Sequence, residues 1–257
     1  METSLAQRLI ADCKKNRSPK LDLGYCGLTA IPEEVFELTW LEELYLCNTY
    51  FDYTQRKWVH SENRAQSEGI NRLDALPPRL STLTLLRTLF AGGGYYGPWR
   101  ISNISVLKKL TQLQTLDLSD NNINNISVLE KLTQLQTLDL SDTKIADLSP
   151  LLPFIEKGVS VKWDRFVRNA IKVEDCPLTV PPVEIVKQGN EAILNYFRQI
   201  KEQAGTEPLY EAKMLIVGEP GAGKTTLLKK LDDPNYIVPK GGDPKIKSTV
   251  GINILEG

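Results

Sequence analysis

Ile101–Asp120 reads ISNISVLKKLTQLQTLDLSD, and Ile123–Asp142 reads INNISVLEKLTQLQTLDLSD. The two stretches are near-copies offset by 22 residues. A fixed period of this length marks a solenoid of stacked units. In each copy, leucines alternate with polar residues over Thr115–Ser119 and Thr137–Ser141, which is the period of a strand. Leu116 and Leu118 therefore point to one side, and Thr115, Asp117 and Ser119 to the other. One unit cannot bury its apolar side alone, so neighbours must stack.

The spacing L-x-x-L-x-L-x-x-N-x-I, carried by Leu113, Leu116, Leu118, Asn121 and Ile123, resembles the leucine-rich-repeat signature. The second copy carries it on Leu135, Leu138, Leu140, Thr143 and Ile145. The Asn amide is expected to bond backbone groups of adjacent turns in a ladder, with Thr143 doing part of that task. Weaker copies extend the array. They are Leu21, Leu23, Cys26, Leu28; then Leu41, Leu44, Leu46, Thr49, Phe51; then Leu86, Leu89, Ala91, Gly94; and finally Ile171, Val173, Cys176, Leu178. Pro150–Val161 reads as one further irregular turn. The expectation is an α/β fold, a horseshoe of about seven units ending near Pro182, with Thr3–Lys15 as a helical cap over its open end. The domain expectation is 1–182 for the repeats, 183–210 for a helical connector, and 211–257 for the first part of a second domain.

Two stretches break the period. Thr49 to Gly94 is 45 residues, about twice the unit. Leu73–Leu89 supplies a normal return half, which leaves Asp52–Asn71 as an insertion. A second irregularity lies between Gly158 and Ala170. Insertions on solenoids project as loops and often touch partners. Between the core leucines stand Asp22, Tyr45, Phe90, Asp117 and Asp139 in successive units. Tyr45 and Phe90 are expected side by side on the concave face, followed by Tyr95, Tyr96 and Trp99. Such a row suggests a protein-binding patch; the alternative is that the insertion folds over it.

The net charge of -1 provides no concentrated basic surface for nucleic acid. Met1–Ile10 lacks an apolar core of signal-peptide length, and no apolar run reaches the length of a membrane span. The cytoplasm is the expected compartment. Cys13, Cys26, Cys47 and Cys176 form no C-x-x-C pair and match no zinc spacing, so all four read as reduced thiols. The single His60 has no metal or catalytic companion in the sequence.

Beyond Pro182 the pattern changes. Val183–Glu202 has apolar residues at helical spacing, with Gly189 positioned to kink or split the helix. Lys213–Val217 (KMLIV) reads as a buried strand. It runs into Gly218, Glu219, Pro220, Gly221, Ala222, Gly223, Lys224 and Thr225, the pattern G-x-x-x-x-G-K-[ST], and then into a helix from Thr226. Glycines let the backbone wrap phosphate oxygens, and amides at the helix start point at the anion. Lys224 would reach the β and γ phosphates, and the Thr225 hydroxyl would ligate Mg²⁺. Pro220 removes one amide donor from the loop. In Lys247–Ile254 (KSTVGINI), Thr249 fits a switch threonine sensing the γ phosphate through Mg²⁺.

The order of parts resembles the Roco family, in which leucine-rich repeats and a helical junction precede a Ras-like Roc GTPase domain. The residues carrying the resemblance are the repeats, Cys176–Phe197, Gly218–Thr225 and Ser248–Ile252. It implies GTP/GDP binding with Mg²⁺, a signalling switch, and dimerisation through a downstream COR domain where one is present. The D-x-x-G and N-K-x-D segments of a Ras-like domain are not found after the loop, so hydrolysis and tight nucleotide binding are not expected of these residues by themselves. Two other readings stand beside this one. One is a protein-binding module with an inert P-loop remnant. The other is an ATP-binding NTPase of NACHT type, against which the repeat-first order argues.

Overall fold

Each Leu-x-Leu core becomes a three-residue strand because its alternation leaves one side wholly apolar. The computed structural model describes residues 3–52, 55–93, 99–203, 223–232 and 235–237. The chain divides into two units, Met1–Gly205 and Thr206–Gly257.

In the first unit the strands are β1 (Lys20–Asp22), β2 (Glu43–Tyr45), β3 (Thr49–Asp52), β4 (Lys57–His60), β5 (Thr88–Phe90), β6 (Thr115–Asp117), β7 (Thr137–Asp139), β8 (Ser160–Lys162) and β9 (Ala170–Lys172). Seven of them form one parallel sheet, in the order β1-β2-β5-β6-β7-β9-β8. The central leucines face one another in register, as Leu21↔Leu44, Leu44↔Leu89, Leu89↔Leu116 and Leu116↔Leu138. The return halves are 3-10 turns at Glu33–Glu37, Pro78–Thr82, Ser105–Lys109 and Ser127–Lys131. Each ends on a leucine (Leu38, Leu83, Leu110, Leu132) that is fully buried. Complete burial of a leucine is worth about 2 kcal/mol relative to exposure. Repetition of these positions along the array builds a single continuous core.

Both open ends are closed. Helix α1 (Leu5–Asn16) buries Leu5, Ala6, Ile10 and Cys13 against the first repeat. Its start is fixed by a capping box: Ser4 Oγ accepts from the Gln7 amide at 3.2 Å, and Gln7 Oε1 accepts from the Ser4 amide at 3.1 Å. At the other end come α2 (Leu152–Glu156), α3 (Val183–Val186) and α4 (Asn190–Gln203), with Gly189 at φ 94° separating α3 from α4. Asn190 covers edge strand β8. Its Oδ1 accepts from the Val161 amide at 2.9 Å, and its Nδ2 donates to Val159 O at 2.8 Å. An exposed strand edge invites pairing with another chain, and this side chain blocks it.

The expected asparagine ladder is present, but two of its rungs are not the expected residues. Asn121 Nδ2 donates to Ala91 O at 2.9 Å and Leu118 O at 3.1 Å, while its Oδ1 accepts from the Ile101 amide at 3.2 Å. Asn71 makes the same set: Nδ2 to Leu23 O and Leu46 O, both 2.7 Å, and Oδ1 from the Leu28 amide at 2.8 Å. The second rung is therefore Asn71, not Thr49, and the core residue after it is Leu73, not Phe51. Thr49 and Phe51 belong to hairpin β3–β4, because the chain leaves the solenoid after Asn48 and re-enters at Asn71. Trp99 fills the third rung and donates from Nε1 to Asn71 O at 3.0 Å. Gly94, expected there, lies outside the described residues.

The last two strands are also inverted. Along the chain β8 precedes β9, but in space β9 lies between β7 and β8. Regular units advance along the sheet with their returns on the leucine side. Parallel crossovers keep one hand, so a crossover that reverses direction must pass over the opposite side. Residues 163–169 do so: the Asn169 amide donates to Thr137 Oγ1, on the concave face, at 3.3 Å.

Candidate protein-binding face and phosphate loop

The strand registers align one concave row, Asp22, Tyr45, Phe90, Asp117, Asp139 and Lys172. Tyr45 and Phe90 stack with ring centroids 4.9 Å apart and planes 11° from parallel. Lys20 Nζ lies 4.7 Å from the Tyr45 ring centroid. Burial pushes the Tyr45 hydroxyl above its ordinary range, with the Glu43 charge adding to the effect.

This pair is not an open patch. Alternation along β3 places Tyr50 and Phe51 on opposite faces of the hairpin. Tyr50 meets Tyr45 at 5.2 Å and Phe90 at 5.3 Å, and Phe90 keeps 7% exposure. The insertion does fold over the aromatic pair. Trp99, expected on the face, is 1% exposed and belongs to the core, because the degenerate unit uses its indole N–H where other units use an amide side chain. Tyr95 and Tyr96 lie outside the described residues.

The other hairpin face meets the second irregular stretch. Phe51 lies 4.9 Å from Phe166, and Trp58, directly opposite Phe51 in the hairpin, lies 6.4 Å from Phe166. Trp58 and Phe166 remain 46% and 45% exposed. The hairpin base is pegged to the first repeat. Tyr25 Oη and His60 Nδ1 are 2.6 Å apart, Ser61 Oγ donates to Asp22 Oδ1 at 2.9 Å, and Asn63 Nδ2 donates to Asp22 O at 2.9 Å. A Cβ added at Gly24 would fall 2.6 Å from Cys47 O and also strike Ser61, so this close approach requires glycine.

Beneath the 163–169 return, the row turns polar and buried. Asp117 Oδ1 accepts from Ser119 Oγ at 2.7 Å and from its amide at 3.0 Å. Lys172 Nζ lies 3.0 Å from Asp139 Oδ2. Arg165 donates from Nε to Glu174 Oε2 at 2.8 Å and from Nη2 to Asp142 Oδ2. The two Arg165 pairs tie the return to the segments that follow β7 and β9.

In the second unit, helix α5 (Lys224–Asp232) begins directly after Gly223, which takes φ 78°. The Leu227 amide donates to Gly223 O at 2.9 Å, closing the first turn. Lys224 and Thr226 are half-buried, and Thr225 occupies the second helical position. The predicted loop residues Gly218, Glu219, Pro220, Gly221 and Ala222, and the predicted switch residue Thr249, lie outside the described residues.

Residues 111–153 match the Leucine Rich repeats (2 copies) family. These are leucine-rich repeats. An 84-residue stretch, 33% of the chain, is 40% identical to a probable serine/threonine-protein kinase, pats1, of Dictyostelium discoideum. The chain spans 2% of that relative's length. Among solved structures, the leucine-rich repeats are similar to an internalin C2 of Listeria monocytogenes, with 26% identity, TM-score 0.38, and 51% of this chain and 46% of that one covered. An LRR protein of Leptospira interrogans gives 21% identity and TM-score 0.39, with 64% and 39% covered. Among the described residues, no helix is long and apolar enough to cross a membrane.

Sequence reasoning missed four residues at this site: Asn71, Tyr50, Trp58 and Phe166. For Asn71 a signal existed, because Asn71-x-Leu73 repeats the Asn121-x-Ile123 spacing once the insertion is removed.

Proposed function

We propose that this chain is the recognition arm of a nucleotide-regulated signalling protein of Roco type. Its leucine-rich repeats bind a protein partner, and its P-loop contributes the phosphate and Mg²⁺ contacts of a GTP site. The carrying observation is local to the second unit. The text Gly218–Thr225 ends where helix α5 begins, and Gly223 takes a left-handed conformation at that junction. A glycine turn delivering Lys224 and Thr225 into the first turn of a helix suits a phosphate cradle, since those amides and the helix dipole favour an anion. Lys224 would neutralise the β and γ phosphates, and Thr225 would hold Mg²⁺. The repeat-first order and the Ser248–Ile254 stretch support the Roco reading over an ATP-binding NACHT-type protein.

The test is binding of fluorescent GTP and ATP, with Mg²⁺, to this chain and to Lys224→Ala. GTP-selective binding lost in the variant carries the reading. ATP selectivity lost in the variant transfers it to the NACHT type. Absence of binding in both forms leaves the leucine-rich repeats as the working part.

A further inference from the structure

We propose that hairpin β3–β4 is an autoinhibitory plug, an internal occupant of the concave groove that a protein partner must displace. The inference rests on reading the repeats as a partner-binding surface, and its test does not depend on any partner being known. The groove has two aromatic walls. One is the Tyr45–Phe90 stack, and the other is Phe166 on the 163–169 return. The hairpin stands between them, with Tyr50 on the first wall and Phe51 and Trp58 on the second. It therefore occupies the place where an extended peptide with alternating aromatic side chains would lie.

The way the hairpin is held differs along its length. Its base is pegged to Tyr25 and Asp22 of the first repeat by hydrogen bonds of His60, Ser61 and Asn63. Its distal contact is the Phe51–Trp58–Phe166 cluster, in which Trp58 and Phe166 are each nearly half exposed. A two-stranded ribbon is only marginally stable alone, so the ordering of this one depends on its two walls. Apolar contacts that stay wet contribute less than buried ones. The base is thus a fixed pivot, and Phe166 is the latch that yields first. Displacement would uncover Tyr45 and Phe90.

Amide hydrogen exchange on the full chain tests this, comparing the native protein with Phe166→Ala and, separately, Trp58→Ala. Both side chains are half exposed, so neither change opens a core cavity. In each variant the amides of Thr49–Asp52 and Lys57–His60 are expected to exchange about tenfold faster or more, while those of β6 and β7 keep their native rates. Unchanged hairpin exchange in both variants would overturn the plug, since the latch would then hold nothing. Uniform acceleration through β5–β7 would also overturn it, because the hairpin would then be an integral part of the solenoid. Nucleotide binding plays no part in this readout, so failure of the P-loop assignment leaves it unaffected.

Discussion

Lys172 Nζ and Asp139 Oδ2 lie 3.0 Å apart, with Lys172 wholly buried and Asp139 7% exposed. They are neighbours only because β9 is inserted beside β7. Burial, with the adjacent Asp117 charge, pushes the Asp139 carboxyl up to about 8, and burial pushes the Lys172 ammonium down to about 7.

The two shifts act on stability in opposite senses. A carboxyl raised on folding holds a proton that the unfolded chain has lost, so its contribution is present in acid and declines as pH rises to about 8. A lysine lowered on folding costs stability at low pH and stops doing so as pH rises past about 7 towards its unfolded value. Lys172→Met removes the second effect. Urea unfolding of that variant should show stability falling from mildly acid pH to about 8, by on the order of 1 kcal/mol per pH unit at most. Asp139→Asn should show the reverse, with stability rising with pH above about 7. A variant profile parallel to the native one would contradict the assignment.

Asn121 satisfies buried backbone carbonyls of two units and one buried amide. Asn121→Ala leaves them unpaired, and each orphaned group costs about 1–3 kcal/mol. A loss of roughly 3 kcal/mol in chemical unfolding is expected. Asn121→Thr should lose less, because Thr143 holds the equivalent rung natively and donates to Leu140 O at 2.7 Å.

Trp99 is a ladder residue, so Trp99→Ala should destabilise by about 3–5 kcal/mol through the cavity it leaves. Trp99→Phe should cost less, retaining most of the volume while losing the bond to Asn71 O. If Trp99→Ala left stability unchanged, the residue would have to be placed on the surface after all.

Cys13, Cys26, Cys47 and Cys176 are buried and unpaired. Burial raises all four thiols, Cys26 to about 12 and Cys47 well above its ordinary value. A thiolate-directed reagent such as dithionitrobenzoate should therefore titrate none of them in the native state and all four in urea. Native-state reaction at any of them would contradict the packing of that unit.

The sequence made the core legible because leucine spacing and burial are one physical requirement, and Leu113, Leu116 and Leu118 obey it without exception. What escaped was order, not pattern. Ser160-Val161-Lys162 and Ala170-Ile171-Lys172 carry the same alternation, which says which way each side chain faces but not which strand it joins. Trp99 was misplaced because in the GGGYYGP unit the spacing to the next core residue is lost, so its rung could not be counted. Asn71 was hidden by an insertion falling inside a repeat, between its strand and its ladder residue. The phosphate loop is read from the spacing of Gly218, Gly223, Lys224 and Thr225, and α5 begins at Lys224.

The Phe51–Phe166 contact also works as a gauge of repeat number. The hairpin departs upstream of the two near-identical copies, and Phe166 sits downstream of both. A third copy inserted between them would add one strand spacing, about 4.8 Å, to the distance the contact must bridge. Solenoids ordinarily lengthen or shorten by whole units with little consequence for their ends. Here a duplication or deletion would leave the core intact yet pull the two aromatics out of reach or drive them together, so the contact sets the number of units between them.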